Sequence, residues 1–411
     1  MNRRTLLTSY AGLITAAAIP GPLASAAVAR PRTGVATPRT AVATPQGEEP
    51  VRFQLPSPSG PYPLGTVSFH LADTTRSDPW MPSRPCRELM ISIWYPARGG
   101  PDRPAVPWMP PAAADRYLSF LGVPPGRVRL GRTHAHEGAP VGGPPGPLPV
   151  VLYSPGANAS RSFGTGIVED LAGHGYLVVT VDHTYDAAVV EFPGGRVEMN
   201  PAGGISDYAK ALSVRTADIR FVLDRLAVLR SGGRPGVCRT PLPRGLPGAL
   251  DLRRVGMLGH SLGGATTAAT MLTDGRITAG ASLDGGAAGP VVDTGLDRPF
   301  LVVDAPGKGG MENNPALRAF WSRLRGWRLC LTVRGAAHQS FGDDVLILPL
   351  LAPLLGMSPH DLEGDVGTIP RHRAQAFQRA YPRAFFDLHL RDRGRLLDGP
   401  SPDFPEVTHT R

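Results

Sequence analysis

The chain has 411 residues, 42% of them hydrophobic, enough to bury a large core in one or two domains. Its formal net charge of +9 is carried almost wholly by arginine, since Lys210 and Lys308 are the two lysines. Those arginines are scattered, with no basic run interleaved with aromatics, which argues against nucleic acid and leaves only a weak, salt-screened attraction to an anionic lipid surface.

The N-terminus reads as an export signal over residues 1–29. Arg3-Arg4 precede a short apolar stretch, Ala11 to Ile19, and A-x-A-like sites follow at Ala24-Ser25-Ala26 and Ala27-Val28-Ala29. The stretch is too short to span a bilayer, and the paired arginines point to the twin-arginine route and a secreted protein. Residues 30–50 form a Pro/Thr/Ala linker too poor in apolar side chains to fold. One domain is expected over 51–398 and a tail over 399–411. Three cysteines allow at most one disulfide; Cys330 sits in an apolar run and reads as core, while pairing of Cys86 with Cys238 stays open.

Alternating runs at Val67–Leu71 and Leu89–Tyr95 predict an antiparallel start to a sheet. Residues 98–147 are crowded with Pro and Gly yet hold Trp108, Met109, Tyr117, Leu118, Phe120 and Leu121. They read as an irregular insertion packed over the core or forming a binding rim. From Val150 onward, strands alternate with helices. The strands fall at Val150–Tyr153, Leu177–Val181, Arg253–Leu258, Ile277–Leu283, Phe300–Val303 and Leu329–Val333. The helices include Phe163–Ala172 and about Ile205–Leu229. That alternation predicts an α/β fold whose central sheet is mostly parallel after antiparallel N-terminal strands, with helices on both faces.

The strand ending at Leu258 stops at Gly259-His260-Ser261-Leu262-Gly263-Gly264, and an Ala-rich helical segment follows at once. G-x-S-x-G between strand and helix is the sequence of a nucleophile elbow, where a serine is lifted above the sheet on a strained turn. A nucleophilic Ser261 needs a base and the base an orienting carboxylate, arriving in the order serine, acid, histidine. Among the histidines after Ser261, His338 alone stands in a loop just past a strand, whereas His360, His372, His389 and His409 fall in helical or tail-like sequence. Asp284 and Asp304 each end a strand-like run, and spacing alone leans slightly to Asp304. The residue after the nucleophile, Leu262, supplies one main-chain oxyanion donor, and the loop after Val150–Ser154 supplies the other.

Trp94-Tyr95-Pro96-Ala97, Tyr153-Ser154-Pro155-Gly156, the Ser261 motif, Leu283-Asp284-Gly285 and His338-Gln339-Ser340-Phe341 occur in one order. Together, over about residues 60–395, they resemble the platelet-activating factor acetylhydrolase family of α/β hydrolases, the plasma-type lipase and its bacterial relatives. The resemblance implies Asp284, 23 residues beyond Ser261, as the acid, and Ala157 as the second oxyanion donor. It also implies a serine esterase acting on short-acyl phospholipids or other small lipophilic esters. The chain departs from the family in having Pro155-Gly156 where His-Gly is frequent. A longer-chain lipase or polyester hydrolase, and a non-enzymatic binding protein on the same scaffold, are the alternatives.

A serine relay needs no metal or cofactor, and none is expected; a monomer is expected. His134 and His136 lack a third ligand and read as a solvated loop. Arg215 and Asp218, three apart on a helix, read as a surface or sheet-docking pair. His183 ends a strand at the active edge, where it lines the pocket or holds a structural hydrogen bond. The apolar run Val345–Met357 carries prolines that rule out a membrane span and serves as a wall near the acyl site or as core.

Overall fold

The computed structural model describes residues 49–410 except 101, 308 and 309, so the export signal and almost all of the linker lie outside the described residues. The chain begins with β1 (Val51–Phe53), then β2 (Leu64–Asp73) and β3 (Arg87–Pro96), which pair antiparallel from Leu64 opposite Pro96 to Asp73 opposite Arg87. Residues 98–147 are not irregular. They hold β4 (Ala105–Pro107), the helix Pro111–Leu121, β5 (Val128–Leu130) and β6 (Arg132–Glu137). Pro and Gly had masked short strands: Pro107 is tolerated because β4 is an edge strand. β5 pairs with β1, and β6 lies between β2 and β4.

The strands β7 (Leu148–Ser154), β8 (Leu177–Asp182), β11 (Leu250–His260), β12 (Ile277–Leu283), β13 (Phe300–Asp304) and β14 (Arg328–Val333) follow, with a small hairpin of β9 (Val189–Glu191) and β10 (Val197–Met199). Residues 407–410 are no tail; they form β15 (Val407–Thr410), antiparallel on β14. One sheet of eleven strands runs β15-β14-β13-β12-β11-β7-β8-β3-β2-β6-β4. It is parallel from β14 through β8 and antiparallel where β8 meets β3 and β3 meets β2.

Both faces of the sheet are covered, so its central strands are apolar throughout, and alternate side chains enter different cores. Val150, Leu152, Val255 and Met257 join Ile219, Val222, Leu223 and Leu226 of the helix Tyr208–Arg230. Val151, Tyr153 and Leu258 point the other way, to the helices Thr165–Gly173 and Arg371–Arg391. A third cluster joins Trp108, Met109 and Tyr117 to Ile347 and Leu351 of the helix Asp344–Leu355. Edge-to-face contacts of Trp108 and Tyr117 with Phe163, centroids 5.1 and 5.6 Å apart, tie the 98–147 segment to the domain. The Val345–Met357 run is thus a helix with one side in the core, and among the described residues no helix is long and apolar enough to cross a membrane.

Candidate active site

The elbow forms where β11 ends and the helix Leu262–Thr273 begins. Ser261 has φ 54° and ψ −122°, a conformation costly for a residue with a Cβ and held here by its surroundings. Two glycines make it possible. A Cβ on Gly259 would collide with the Gly263 backbone, and one on Gly263 with the Ser154 carbonyl, so strand, helix and β7 end approach as glycine alone permits. The Ser261 N–H donates to the Leu283 carbonyl (2.9 Å), anchoring the turn on β12.

The next strand ends bring the partners. The Ser261 hydroxyl donates to Nε2 of His338 at 3.0 Å, and Nδ1–H of His338 donates to Asp284 Oδ2 at 2.5 Å. Asp284 is buried, and its other oxygen accepts the Ala305 N–H at 2.8 Å. Burial alone would raise this carboxyl, but the hydrogen bond and charge of His338 hold it below the ordinary carboxylate range, so it stays ionised beside the ring. Asp304, the competing acid, is turned elsewhere. It accepts from the Met311 N–H and the Thr332 hydroxyl, and burial raises its pKa. Ser261, His338 and Asp284 therefore form one relay, with the imidazole about a quarter exposed at the rim.

Leu262 opens the helix and Ala157 lies in the loop after β7; the two pack in one small apolar cluster beside the elbow. Neither N–H donates to a described residue. Arg215 and Asp218 do not form a surface pair. Both are fully buried; Arg215 binds Asp186 (Nε to Oδ2 2.7 Å), and Asp218 takes two hydrogen bonds from Arg87. The sequence could not show this because the partners lie 29 and 131 residues away. His183 is also fully buried: its Nδ1–H donates to Asp218 and its Nε2 accepts the Ser154 hydroxyl, both at 3.0 Å, a structural role. His134 and His136 sit on β6 rather than in a loop, His134 against Glu169 (2.8 Å), and no cluster able to hold a metal occurs among the described residues. The three cysteines are free thiols.

Two features escaped sequence reading. His260, the variable residue of the motif, is buried, and its Nε2–H donates to the His338 carbonyl at 2.8 Å. Burial, then the neighbouring His338, pushes its pKa down to about 3, so it is neutral and fixes the loop that bears His338. Its position inside G-x-S-x-G was the available signal. A small cleft beside Gln339 is lined by Tyr117, Leu121, Leu348 and Leu355, with Asp344 and Asp365 on its wall. Burial raises Asp344 to about 8 and Asp365 to about 6; next to Asp344, buried Asp343 rises to about 7 while holding the Trp108 indole N–H at 2.9 Å.

A hydroxyl on a strained strand-to-helix turn, at the carboxyl edge of a doubly covered parallel sheet, defines an α/β hydrolase. The chain aligns with the solved structure of a ferulic acid esterase from Streptomyces cinnamoneus at TM-score 0.71 and 37% identity, covering 86% of this chain and 98% of that one. Within that class, the chain belongs to the family described as platelet-activating factor acetylhydrolase, isoform II, which it matches over residues 50–193 and 243–359. A probable 1-alkyl-2-acetylglycerophosphocholine esterase of Arthroderma benhamiae is 30% identical over 87% of this chain and 94% of its own length. The platelet-activating factor acetylhydrolase of Cavia porcellus is 25% identical over 47% of this chain and 48% of its own. The chain is an ester hydrolase of this family.

Proposed function

We propose that the chain is a secreted serine esterase in which Ser261 is the nucleophile, His338 the general base and acid, and Asp284 the group that orients the imidazole. The observation that carries this reading is the continuous relay from Asp284 through His338 to the Ser261 hydroxyl, with each link at 3.0 Å or less. As Oγ attacks the ester carbonyl, His338 takes its proton, and the imidazolium is steadied by Asp284. The Leu262 and Ala157 N–H groups stabilise the oxyanion of the tetrahedral intermediate. Collapse breaks the bond to the alkoxy group, which leaves with the proton from His338; water then repeats the sequence on the acyl-enzyme and releases the acid.

The substrates are short-acyl phospholipids or other small lipophilic esters, a reading supported by the name of the Arthroderma benhamiae relative. A second reading, esters of aromatic acids, is favoured by the name of the Streptomyces cinnamoneus structure at 37% identity. Ser261→Ala should abolish fluorophosphonate labelling and p-nitrophenyl acetate turnover; labelling that persists removes the assignment. On wild-type protein, turnover should fall steeply from acetyl to palmitoyl esters. A flat or rising profile indicates a long-chain lipase or polyester hydrolase, and preference for methyl ferulate over acetyl phospholipid selects the aromatic reading.

A further inference from the structure

The loop Ser154-Pro155-Gly156-Ala157 is gripped from behind by one side chain. Arg215 is fully buried, and its guanidinium donates to two successive carbonyls, Pro155 through Nη1 (2.5 Å) and Gly156 through Nη2 (2.9 Å). Its remaining edge is held by Asp186, Nε to Oδ2 at 2.7 Å and Nη2 to Oδ1 at 2.5 Å. Asp186 is itself buried, so the charge of Arg215 is balanced on the side away from the loop.

Peptide planarity turns this grip into an orientation. No cis peptide occurs among the described residues, and in a trans peptide the N–H points opposite the carbonyl. Drawing the Pro155 carbonyl to Arg215 therefore turns the Gly156 N–H away from it, and drawing the Gly156 carbonyl turns the Ala157 N–H the same way. Two consecutive N–H groups pointing to one side form a nest for a negative oxygen. Neither donates to a described residue. Gly156 also faces the elbow: a Cβ on it would lie 3.4 Å from Ser261 Cβ and 3.2 Å from His260 Nδ1. Only a planar fork reaches two carbonyls and a carboxylate at once; an ammonium does not.

We infer that Arg215 is the positioning residue of the oxyanion hole and that the Gly156 N–H is a third donor in it, beside Ala157 and Leu262. The inference rests on the acyl-enzyme reading above and adds to it the group that aims the donors. Arg215 touches no substrate. It fixes two peptide planes before the oxyanion forms, so its effect falls on the transition state rather than on substrate binding.

The test is Arg215→Lys, assayed per active site by endpoint titration with a fluorophosphonate, so that misfolded protein is not counted. Loss of one oriented donor predicts a fall in kcat for p-nitrophenyl acetate of about 10²-fold. KM should move by less than about threefold, and affinity for a boronic acid, a mimic of the tetrahedral adduct, should fall in parallel with kcat. A kcat per titrated site within about threefold of wild type overturns the inference, whereas failure of wild-type protein to label at all would instead overturn the nucleophile assignment. Should Arg215→Lys not fold, the wild-type boronate adduct decides by NMR. The Gly156, Ala157 and Leu262 amide protons should shift downfield together, and a Gly156 amide that stays in place excludes it as a donor.

Discussion

The molecule contains two Ser–His–Asp arrangements of nearly the same dimensions. At the rim, Ser261 and Asp284 flank His338 at 3.0 and 2.5 Å; in the interior, Ser154 and Asp218 flank His183 at 3.0 and 3.0 Å. What separates them is access and charge. The His338 ring is about a quarter exposed, whereas Ser154, His183 and Asp218 are fully buried. Burial lowers the pKa of His183, so the ring resists taking the proton that a base must accept. Asp218 is already neutralised by Arg87 and Arg76 and has little negative charge left to stabilise an imidazolium. Ser154 lies in a regular strand, Ser261 on a strained turn at φ 54°. Hydrogen-bond distance alone does not make a nucleophile.

The sharpest break in the comparison should come from the acids. Asp284→Asn removes the charge and the tautomer control at the rim and should lower kcat about 10⁴-fold, measured with p-nitrophenyl acetate. Asp304→Asn, whose carboxyl serves Met311 and Thr332, should change kcat far less; the reverse ranking would move the acid one strand along. Ser154→Ala should keep fluorophosphonate labelling but leave Nε2 of His183 without its donor, which costs about 1–3 kcal/mol in denaturant-unfolding stability. Loss of labelling in that variant would show that the interior arrangement shares in the chemistry.

The smallest effect concerns pH and stability. Asp343, Asp344 and Asp365 have pKa values raised to about 7, 8 and 6, so the folded state holds protons that the unfolded chain releases at lower pH. Their contribution is full below the unfolded carboxyl range, near 3.8, and is lost as pH rises through about 6 to 8. Because His183, His260 and His389 have pKa values lowered by burial and act the other way, the carboxyl effect is read as a difference: between pH 5 and pH 8 the wild-type melting temperature should lose ground to that of Asp344→Asn. A difference between wild type and Asp344→Asn that stays constant over the interval would show Asp344 ionised in the fold.

Ser261 and His338 were legible because their signals are local: a glycine-framed turn between strand and helix, and a histidine just past a strand. Asp284 needed the family resemblance, since two neighbouring strands both end in aspartate and nothing in either run shows which carboxyl faces His338. The alternation of strands and helices gave the parallel half of the sheet. Within 98–147, β4 was hidden because three residues with a proline at a sheet edge leave no periodic trace, and β6, Arg132–Glu137, because it holds no large apolar side chain. Buried ion pairs such as Arg215 with Asp186 were invisible for another reason: a charged residue on a long helix looks solvated until its distant partner is known.

The helix Asp344–Leu355, which contributes Asp344, Leu348 and Leu355 to the cleft, carries Pro349 and Pro353 in its interior. Each proline lacks the N–H that would reach back one turn, so the carbonyls of Val345 and Pro349 lose those rungs. A rod missing two ties on one flank bends more cheaply than a continuous one. The flank that bears Pro349 and Pro353 is thus where the wall of the cleft yields at the least cost.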